Sequence, residues 1–499
     1  MLKNSASVYS RLSKIVRTTR SIHVALWFVF LLASALIIAA ARGDLWLDEI
    51  WSLSFARTSH SITDVFVRFH HDNNHLLNTV FLYYAKAYKA FFVYRLLAVL
   101  SGIGSVFLVG YIARKEWGDQ EALCSLALAG TSYPLLLYFS EARGYASAIF
   151  FALASYALLR QNMRQLRPGT LVLFWSTSIL GMLSHSTFIM ATMAFCVESL
   201  AHEIHVVGSF PRKLLRFVVQ HASPLIFFAC LYMFFLRDME IGGGPIYSKW
   251  DVIAQASALL IGFPELSGFL GAAIVCVLVL ITVGVISLRQ EGGTQWLFFL
   301  TILYLSPIVV FILTRPQYLY FRYFIICFPF FYLLLSHLAC KYYRSLGNRW
   351  RWLLVAAVAM LIAGQAQRVY ALLAVGRGNY FTALAHIAAN SPKGIVRVGS
   401  DHDFRNRVLF DFYAPLVPEG DRLRYVEQPT WREAPPDWLL IHSQDVAYRP
   451  PKGFLVEGIG VYRLTDAYRF SGISGWSWFV FRREALGSGR GEQDTAAAG

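Results

Sequence analysis

The chain alternates long apolar runs with short polar links. SIHVALWFVFLLASALIIAA, at 21–40, is the first run and has about the 20 residues that a bilayer-crossing helix needs. Further runs at 94–113, 121–139, 143–159, 169–185, 186–204, 218–236, 266–288, 295–313, 321–340 and 352–372 bring the predicted spans to about eleven. An odd number puts the two termini on opposite sides. At 250–265, DVIAQASALLIGF ahead of Pro264 reads either as a short surface helix or as a tilted part of a span. Two segments break the pattern. The loop 42–93 is rich in His, Asp, Asn and Tyr, and its stretch LLNTVFLYYAKAYKAFF, interrupted by Lys86 and Lys89, suits a helix lying along the membrane surface. From 373 to 482 hydropathy drops and short strand-type runs appear: GIVRVGS, RLRYVE, DWLLIHS, GVYRL and SWFVF, with helical candidates NYFTALAHIAAN and FRNRVLFDFYA. The expected architecture is an α-helical polytopic membrane protein, with residues 23–372 as the transmembrane domain, 373–482 as a small α/β domain and 483–499 as a disordered tail.

Composition and charge sharpen this picture. Of 499 residues, 56% are hydrophobic and 15% charged, too apolar for an ordinary soluble enzyme, a fibre or a disordered chain. The net charge of +15 would suggest nucleic acid on a soluble protein. Here Arg114/Lys115, Arg160/Arg164/Arg167, Arg212/Lys213/Arg216, Arg289 and Lys341/Arg344/Arg349/Arg351 all fall in the links that alternation makes cytoplasmic, so the excess encodes topology and implies no nucleic-acid partner. Lys3, Arg11, Lys14, Arg17 and Arg20 keep residues 1–22 in the cytoplasm, and no small-residue cleavage site precedes DLWLDEIW, which argues for a retained span rather than a removed signal peptide. Loop 42–93 and domain 373–482 then face the outside of the inner or plasma membrane, the periplasm in a Gram-negative cell. Cys124, Cys196, Cys230, Cys276, Cys327 and Cys340 lie in or beside apolar runs, where they build neither a disulfide framework nor a zinc site. No phosphate loop, dinucleotide fingerprint or Gly-x-Ser-x-Gly occurs. Paired Gly/Pro-broken spans of the transporter type are absent too.

The residues able to do chemistry collect in the outer segments. In Asp44-Leu-Trp-Leu-Asp48-Glu49-Ile-Trp51 a helical turn would put Asp44 and Asp48 on one face and Glu49 about 100° away, so one carboxylate can face a cavity while its neighbour is tied down. A poorly solvated carboxylate suits a general base, though an acidic helix end at the interface has the same composition. His70-His71-Asp72-Asn73-Asn74-His75 offers His71 and His75 as a divalent-metal pair if the segment is helical. The Asp-Asn-Asn run favours a turn, and binding of a sugar or phosphate by Asn74 and His75 is the preferred reading. Glu141-Ala-Arg143-Gly144-Tyr145 puts a cation at an outer span junction, where it needs a wet cavity or a partner. Arg315, Tyr320, Arg322 and Tyr323 interleave planar donors for phosphate with aromatic faces for a sugar ring. His185 sits at another outer span end. Asp401-His402-Asp403 is similar to the metal-binding motif of nucleotide-sugar enzymes, but nucleotide sugars are not available outside the cell.

The order of these motifs resembles the polytopic GT-C glycosyltransferases, in particular the lipopolysaccharide-core galacturonosyltransferases, the aminoarabinose-to-lipid A transferases and the protein O-mannosyltransferases. A first span is followed by Asp48-Glu49, then DNNHLLNTVFLYY, then RLLAVLSGIGSVFLVGYIARK, the EARGYA hairpin, and late in the chain RPQYLYFRY. Several members carry His-Pro-Pro where His75 is here followed by Leu76 and Leu77. The resemblance implies a polyprenyl-phosphate sugar donor, transfer on the extracytoplasmic face, Asp48 as catalytic base with Glu49 beside it, and Arg143, Arg315 and Arg322 on the lipid phosphate. Asn74, His75, Tyr145, His185, Tyr320 and Tyr323 then fall to the sugar or the acceptor, which would be a cell-envelope glycolipid, a polysaccharide or a protein. No cofactor is required. Two other functions fit the same spans: a ligase moving a preassembled glycan from a polyprenyl diphosphate, and a flippase or transporter of lipid-linked sugar.

Overall fold

The computed structural model describes residues 2–264, 270–314 and 316–484; the predicted tail lies outside them from residue 485 onward. The chain forms two compact units, Met1–Arg42 with Trp51–Tyr370, and Gly43–Ile50 with Ala371–Gly499.

In the first unit every predicted span falls on helix, the described part of 266–288 included. Eight helical segments among the described residues are long and apolar enough to cross a membrane, from Ser21–Ala40 to the helix that begins at Asn348. A ninth is counted if Asp119–Thr131 and Tyr133–Phe139, bent by 67°, form one span. The predicted spans 143–159 and 169–185 correspond to helices Tyr145–Arg164 and Pro168–Ser184. The first is diluted by Ser147, Ser155, Gln161 and Asn162, and the second is 17 residues long. The ambiguous stretch 250–265 holds a separate helix, Lys249–Leu260.

The bend after Thr131 has a local cause. The Ser132 hydroxyl accepts from the Leu135 amide, and Pro134 occupies the first turn of the new helix, so one helix stops and another starts. A broken span exposes amides and carbonyls that hydrocarbon cannot satisfy. Buried Gln365 answers this need: its Oε1 accepts from the Tyr133 amide at 2.9 Å, and its Nε2 donates to the Leu259 carbonyl at 2.6 Å. The Tyr332 hydroxyl reaches the Leu260 carbonyl at 2.9 Å and the Ser132 hydroxyl at 3.0 Å.

Charges at the helix ends are paired. Arg160 bridges Glu116 at 2.8 Å and Glu198 at 2.7 Å, Arg344 meets Glu121 at 2.6 Å, and Lys341 meets Glu291 at 2.7 Å. Fully buried Arg95, in the second turn of the helix Phe91–Glu116, donates to the Ala41 carbonyl at 3.0 Å, closing the end of the first helix. Hydropathy alone passes over this residue.

The second unit holds helices Tyr380–Ala389 and Asp403–Tyr413 and a mixed sheet. Its strands are β1 (Val396–Ser400), β2 (Leu423–Tyr425), β3 (Trp438–Ser443), β4 (Gly453–Val456), β5 (Gly460–Tyr468) and β6 (Ser477–Arg483), in the order β2-β1-β3-β6-β5-β4. β2, β1 and β3 run parallel, and β6, β5 and β4 are antiparallel additions. All five strand-type runs read from the sequence are strands. The four-residue edge strand β4 was not among them, being too short to show a period. Leu439, Tyr462, Phe479 and Phe481 form a core on this sheet.

Replacing Gln365 by Leu keeps the volume but leaves the Tyr133 amide and the Leu259 carbonyl without their side-chain partner. The thermal midpoint of the detergent-solubilised protein, followed by tryptophan fluorescence, is expected to fall by about 2–4 °C or more. An unchanged midpoint would show that the amide link does not support the bend.

Candidate functional site

The loop 60–75 is shaped by its own polar side chains. Ser61 and Asp64 form a reciprocal cap on helix Ile62–Val67. Asn74 Nδ2 then donates to the Val65 and Phe69 carbonyls, both at 2.8 Å, closing that helix and fixing the turn. Lys86, where the helix Leu76–Ala85 ends, donates to the Ala56 and Ser59 carbonyls at the end of helix Leu47–Thr58. A partner the sequence reading did not foresee pairs with the His/Asn run: the Asp72 amide donates to the Glu240 carbonyl, the Glu240 amide to the His70 carbonyl, and the Gly242 amide to Asp72 Oδ1 at 3.0 Å.

The EARGYA turn meets this loop. Arg143, 3% exposed, donates from Nη2 to Asn73 Oδ1 at 2.7 Å, and its guanidinium lies 5.0 Å from the Tyr145 ring centre. Asn73 is held in turn by Ser52, and Asn78 Nδ2 donates to the Ala142 carbonyl at 2.8 Å. Gly144 is required by space: a Cβ there would stand 1.9 Å from the Ser184 carbonyl oxygen and 2.8 Å from His75 Cβ. That close approach brings Tyr145, His75 and His185 together. Their ring centres are 4.4 Å apart for Tyr145–His185, 4.8 Å for His75–His185 and 5.2 Å for His75–Tyr145, with Tyr138 4.7 Å beyond Tyr145.

Electrostatics hold both imidazoles neutral. Burial lowers the proton affinity of His75, and His185, Arg143 and Arg322 lower it further, so that it titrates well below the usual 6.5; the Ser184 carbonyl opposes this only in part. His185 Nδ1 accepts from the Thr187 amide at 3.1 Å, which leaves its proton on Nε2. Burial acts to raise Asp72, but the His71 hydrogen bond, the Gly242 amide and the charges of His71 and Arg322 outweigh it, and the carboxyl is held below its ordinary value. Arg322 opens the 3-10 turn Phe321–Cys327, with its guanidinium 4.2 Å from the Tyr320 ring centre and 5.9 Å from that of Tyr323. It acts on His75 together with Arg143, so the two cations share one neighbourhood.

Asp72, Asn74, His75, Ser184 and His185 line a small cavity, partly open to solvent, together with Met182, Leu231, Phe235, Leu236 and Met239. The first unit therefore gathers Arg143, Arg322, Asn74, His75, Tyr145, His185, Tyr320 and Tyr323. Arg315 lies outside the described residues. Asn73, Asn78, Tyr138 and the 235–242 segment join the cluster without having been singled out. The Asn residues had a signal in their turn-forming run; the 235–242 segment had none, because its pairing is made across more than 160 residues of chain.

The structure gives three sequence motifs definite places. The segment 71–75 is a turn, so the spacing of His71 and His75 forms no helical pair: His71 lies against Trp51, 4.5 Å between ring centres, while His75 faces Tyr145 and His185. Asp44 does not share a helix face with Asp48, because the helix begins at Leu47. In the second unit Asp44 accepts from the Phe381 amide at 2.8 Å, at the start of helix Tyr380–Ala389. Buried Glu49 accepts from the Trp46 amide, which makes Glu49 the tied carboxylate, and Asp48 is half-buried. Asp401 and Asp403 are used structurally, Asp401 by the His442 amide and ring and Asp403 by Tyr425 and the Gln428 amide.

No family model and no curated protein matches the chain by sequence. Among solved structures it is similar to ArnT from Cupriavidus metallidurans in the apo state, with a TM-score of 0.50 and 14% identity over 85% of this chain and 93% of that one. The same protein bound to undecaprenyl phosphate gives 0.49 and 12% over 95% and 100%. The oligosaccharyltransferase AglB from Archaeoglobus fulgidus, in complex with an inhibitory peptide and a dolichol-phosphate, gives 0.42 and 10% over 83% and 69%. The fold is GT-C-like.

Because folded His75 takes up a proton only well below 6.5, the unfolded chain binds more protons just below that pH, and stability falls as pH drops through this window. The thermal midpoint of the wild type is expected to decrease between pH 7 and 5, and to decrease less in His75→Gln. Parallel curves for the two proteins would refute a neutral buried His75.

Proposed function

We propose that the protein is a multi-pass membrane glycosyltransferase that moves a sugar from a polyprenyl-phosphate donor to a hydroxyl acceptor on the extracytoplasmic face, with inversion. The observation that carries this reading is the pair Arg143 and Arg322, gathered with Tyr145, Tyr320 and two neutral imidazoles in a GT-C-like fold. A sugar linked through one phosphate leaves as an anion. It needs positive charge on its oxygens rather than a general acid, and guanidinium forks supply that charge with directed donors. Arg315 is the third candidate for this role.

The attacking hydroxyl needs a base. Half-buried Asp48, the carboxylate that the resemblance to the GT-C glycosyltransferases implies for this role, is assigned the proton, with Glu49 beside it. Attack on the anomeric carbon from the side opposite the phosphate forms the new glycosidic bond as the phosphate bond breaks. The hydroxyl proton passes to Asp48, and configuration inverts. The acceptor class is a cell-envelope glycolipid, a polysaccharide or a protein hydroxyl.

In reconstituted membranes supplied with polyprenyl-phosphate sugars and a cell-envelope acceptor fraction, Asp48→Asn is expected to lower kcat by about 10²–10⁴ with expression and insertion intact. Arg143→Gln and Arg322→Gln should chiefly weaken donor binding. Full activity in Asp48→Asn would remove it as the base. Since the arginines carry the leaving-group charge, transfer is expected to survive EDTA; loss on chelation, restored by a divalent ion, would overturn that assignment.

A further inference from the structure

The carboxyl ends of β1 and β3 carry a group of polar side chains that the proposed reaction does not use. In the sheet, β1 lies between β2 and β3; the chain leaves β1 through helix Asp403–Tyr413 to reach β2 on one side, and leaves β3 for β4 on the other. Connections that diverge from adjacent parallel strands open a crevice at the strands' carboxyl ends, which is where open α/β sheets take their ligands. Asp401 and His402 directly follow β1, His442 lies near the end of β3, and Arg405 is in the first turn of the helix.

Hydrogen bonds assign the protons in this group. Both Asp401 carboxylate oxygens lie 2.9 Å from His442 Nδ1, and Arg405 Nη1 lies 3.3 Å from His442 Nε2. A guanidinium only donates, so Nε2 is the lone pair and the ring proton sits on Nδ1, toward Asp401. His402 Nδ1 accepts from the Arg405 amide at 3.4 Å, which leaves its own proton on Nε2, and its ring stands edge to face with that of His442, 5.6 Å between centres. Asp401 also accepts from the His442 amide and Asn406 Nδ2, and Asp403 is committed to the Tyr425 hydroxyl and the Gln428 amide. Arg405 forms no ion pair among the described residues. Its Nε and Nη2, and His402 Nε2, have no hydrogen-bond partner there, and both side chains are half-buried with these nitrogens open to solvent.

The groups left over are all donors, and one of them is charged. Arg407, on the same helix, is neutralised by Asp411 and Glu427. Arg405 is held instead by an imidazole that Asp401 orients, which fixes the position of the fork and keeps its charge. The complementary ligand is one that only accepts. We infer that this end of the sheet binds an oxyanion, a phosphate or a carboxylate, whose oxygens accept from the Arg405 guanidinium and the Nε2–H of His402. The anion site stands on the α/β unit alone. That the anion is borne by a saccharide of the acceptor rests on the glycosyltransferase reading, and it gives the α/β unit the selection of an acidic cell-envelope glycan.

The test is isothermal titration calorimetry of the full-length protein in detergent with inorganic phosphate, glucose 6-phosphate, glucuronic acid and glucose. Because Arg143 and Arg322 also attract phosphate, the readout is the difference between wild type and Arg405→Gln. Arg405→Gln is expected to weaken binding of at least one of the three anions about tenfold, Arg405→Lys to recover part of it, and exposed Arg432→Gln to change nothing. Unchanged affinities in folded Arg405→Gln, equal weakening in Arg432→Gln, or glucose bound as tightly as glucose 6-phosphate would overturn the site. Inorganic phosphate bound as tightly as glucose 6-phosphate would overturn the saccharide as its carrier. In the transfer assay Arg405→Gln should raise the acceptor KM about tenfold with kcat unchanged, and a fall in kcat alone would overturn the acceptor role. No transfer by the wild type from any polyprenyl-phosphate sugar would overturn the proposed function and leave the anion site standing.

Discussion

The buried guanidinium of Arg143 is the constraint around which the site is arranged. A cation among apolar helices is tolerated only with directed partners, and isolated it costs several kcal/mol. Arg143 has the Asn73 carbonyl oxygen and the face of Tyr145 among its partners. Its charge acts on what surrounds it and helps to keep His75 unprotonated. The polar loop follows from the same need: Asn73 must be aimed, so Ser52 holds it, and Asn78 anchors the surface helix to the Ala142 carbonyl. The close approach at Gly144 then sets how near the two imidazoles can come.

Elsewhere the first unit pairs its cations with carboxylates. Arg160 sits between two glutamates, and Arg344 and Lys341 each have a carboxylate. Those clusters tie helix ends together. The break after Thr131 belongs to the scaffold, because Gln365 and Tyr332 satisfy the backbone that the bend exposes.

Hydropathy made the helices legible, since each must be about 20 apolar residues long, and strand alternation made five of the six strands legible. Residue types also pointed to Arg143, Arg322, His75 and His185, because charged or titratable groups at span ends are rare. Contacts of high sequence separation were not legible. Nothing local marks Glu240 and Gly242 as partners of His70 and Asp72, or Tyr138 as the ring behind Tyr145. Helical periodicity misplaced Asp44, because it assumes a helix that in fact starts three residues later. The Asp-Asn-Asn run correctly signalled a turn at 71–75, and that turn is why His71 and His75 face different surroundings.

The placement of the acidic motif follows from how the chain is divided. Gly43–Ile50 belongs to the second unit although it directly follows the first predicted span. Asp44 caps the helix Tyr380–Ala389, and the Leu45 carbonyl accepts from the Tyr413 hydroxyl at 2.8 Å, so two side-chain bonds fix the segment that carries Asp48 and Glu49 to the α/β unit. A catalytic carboxylate has to be held to within a fraction of an ångström, and positions on rigid elements serve this better than free loops. The α/β unit thus holds the acidic segment in place through side-chain bonds that its composition does not suggest.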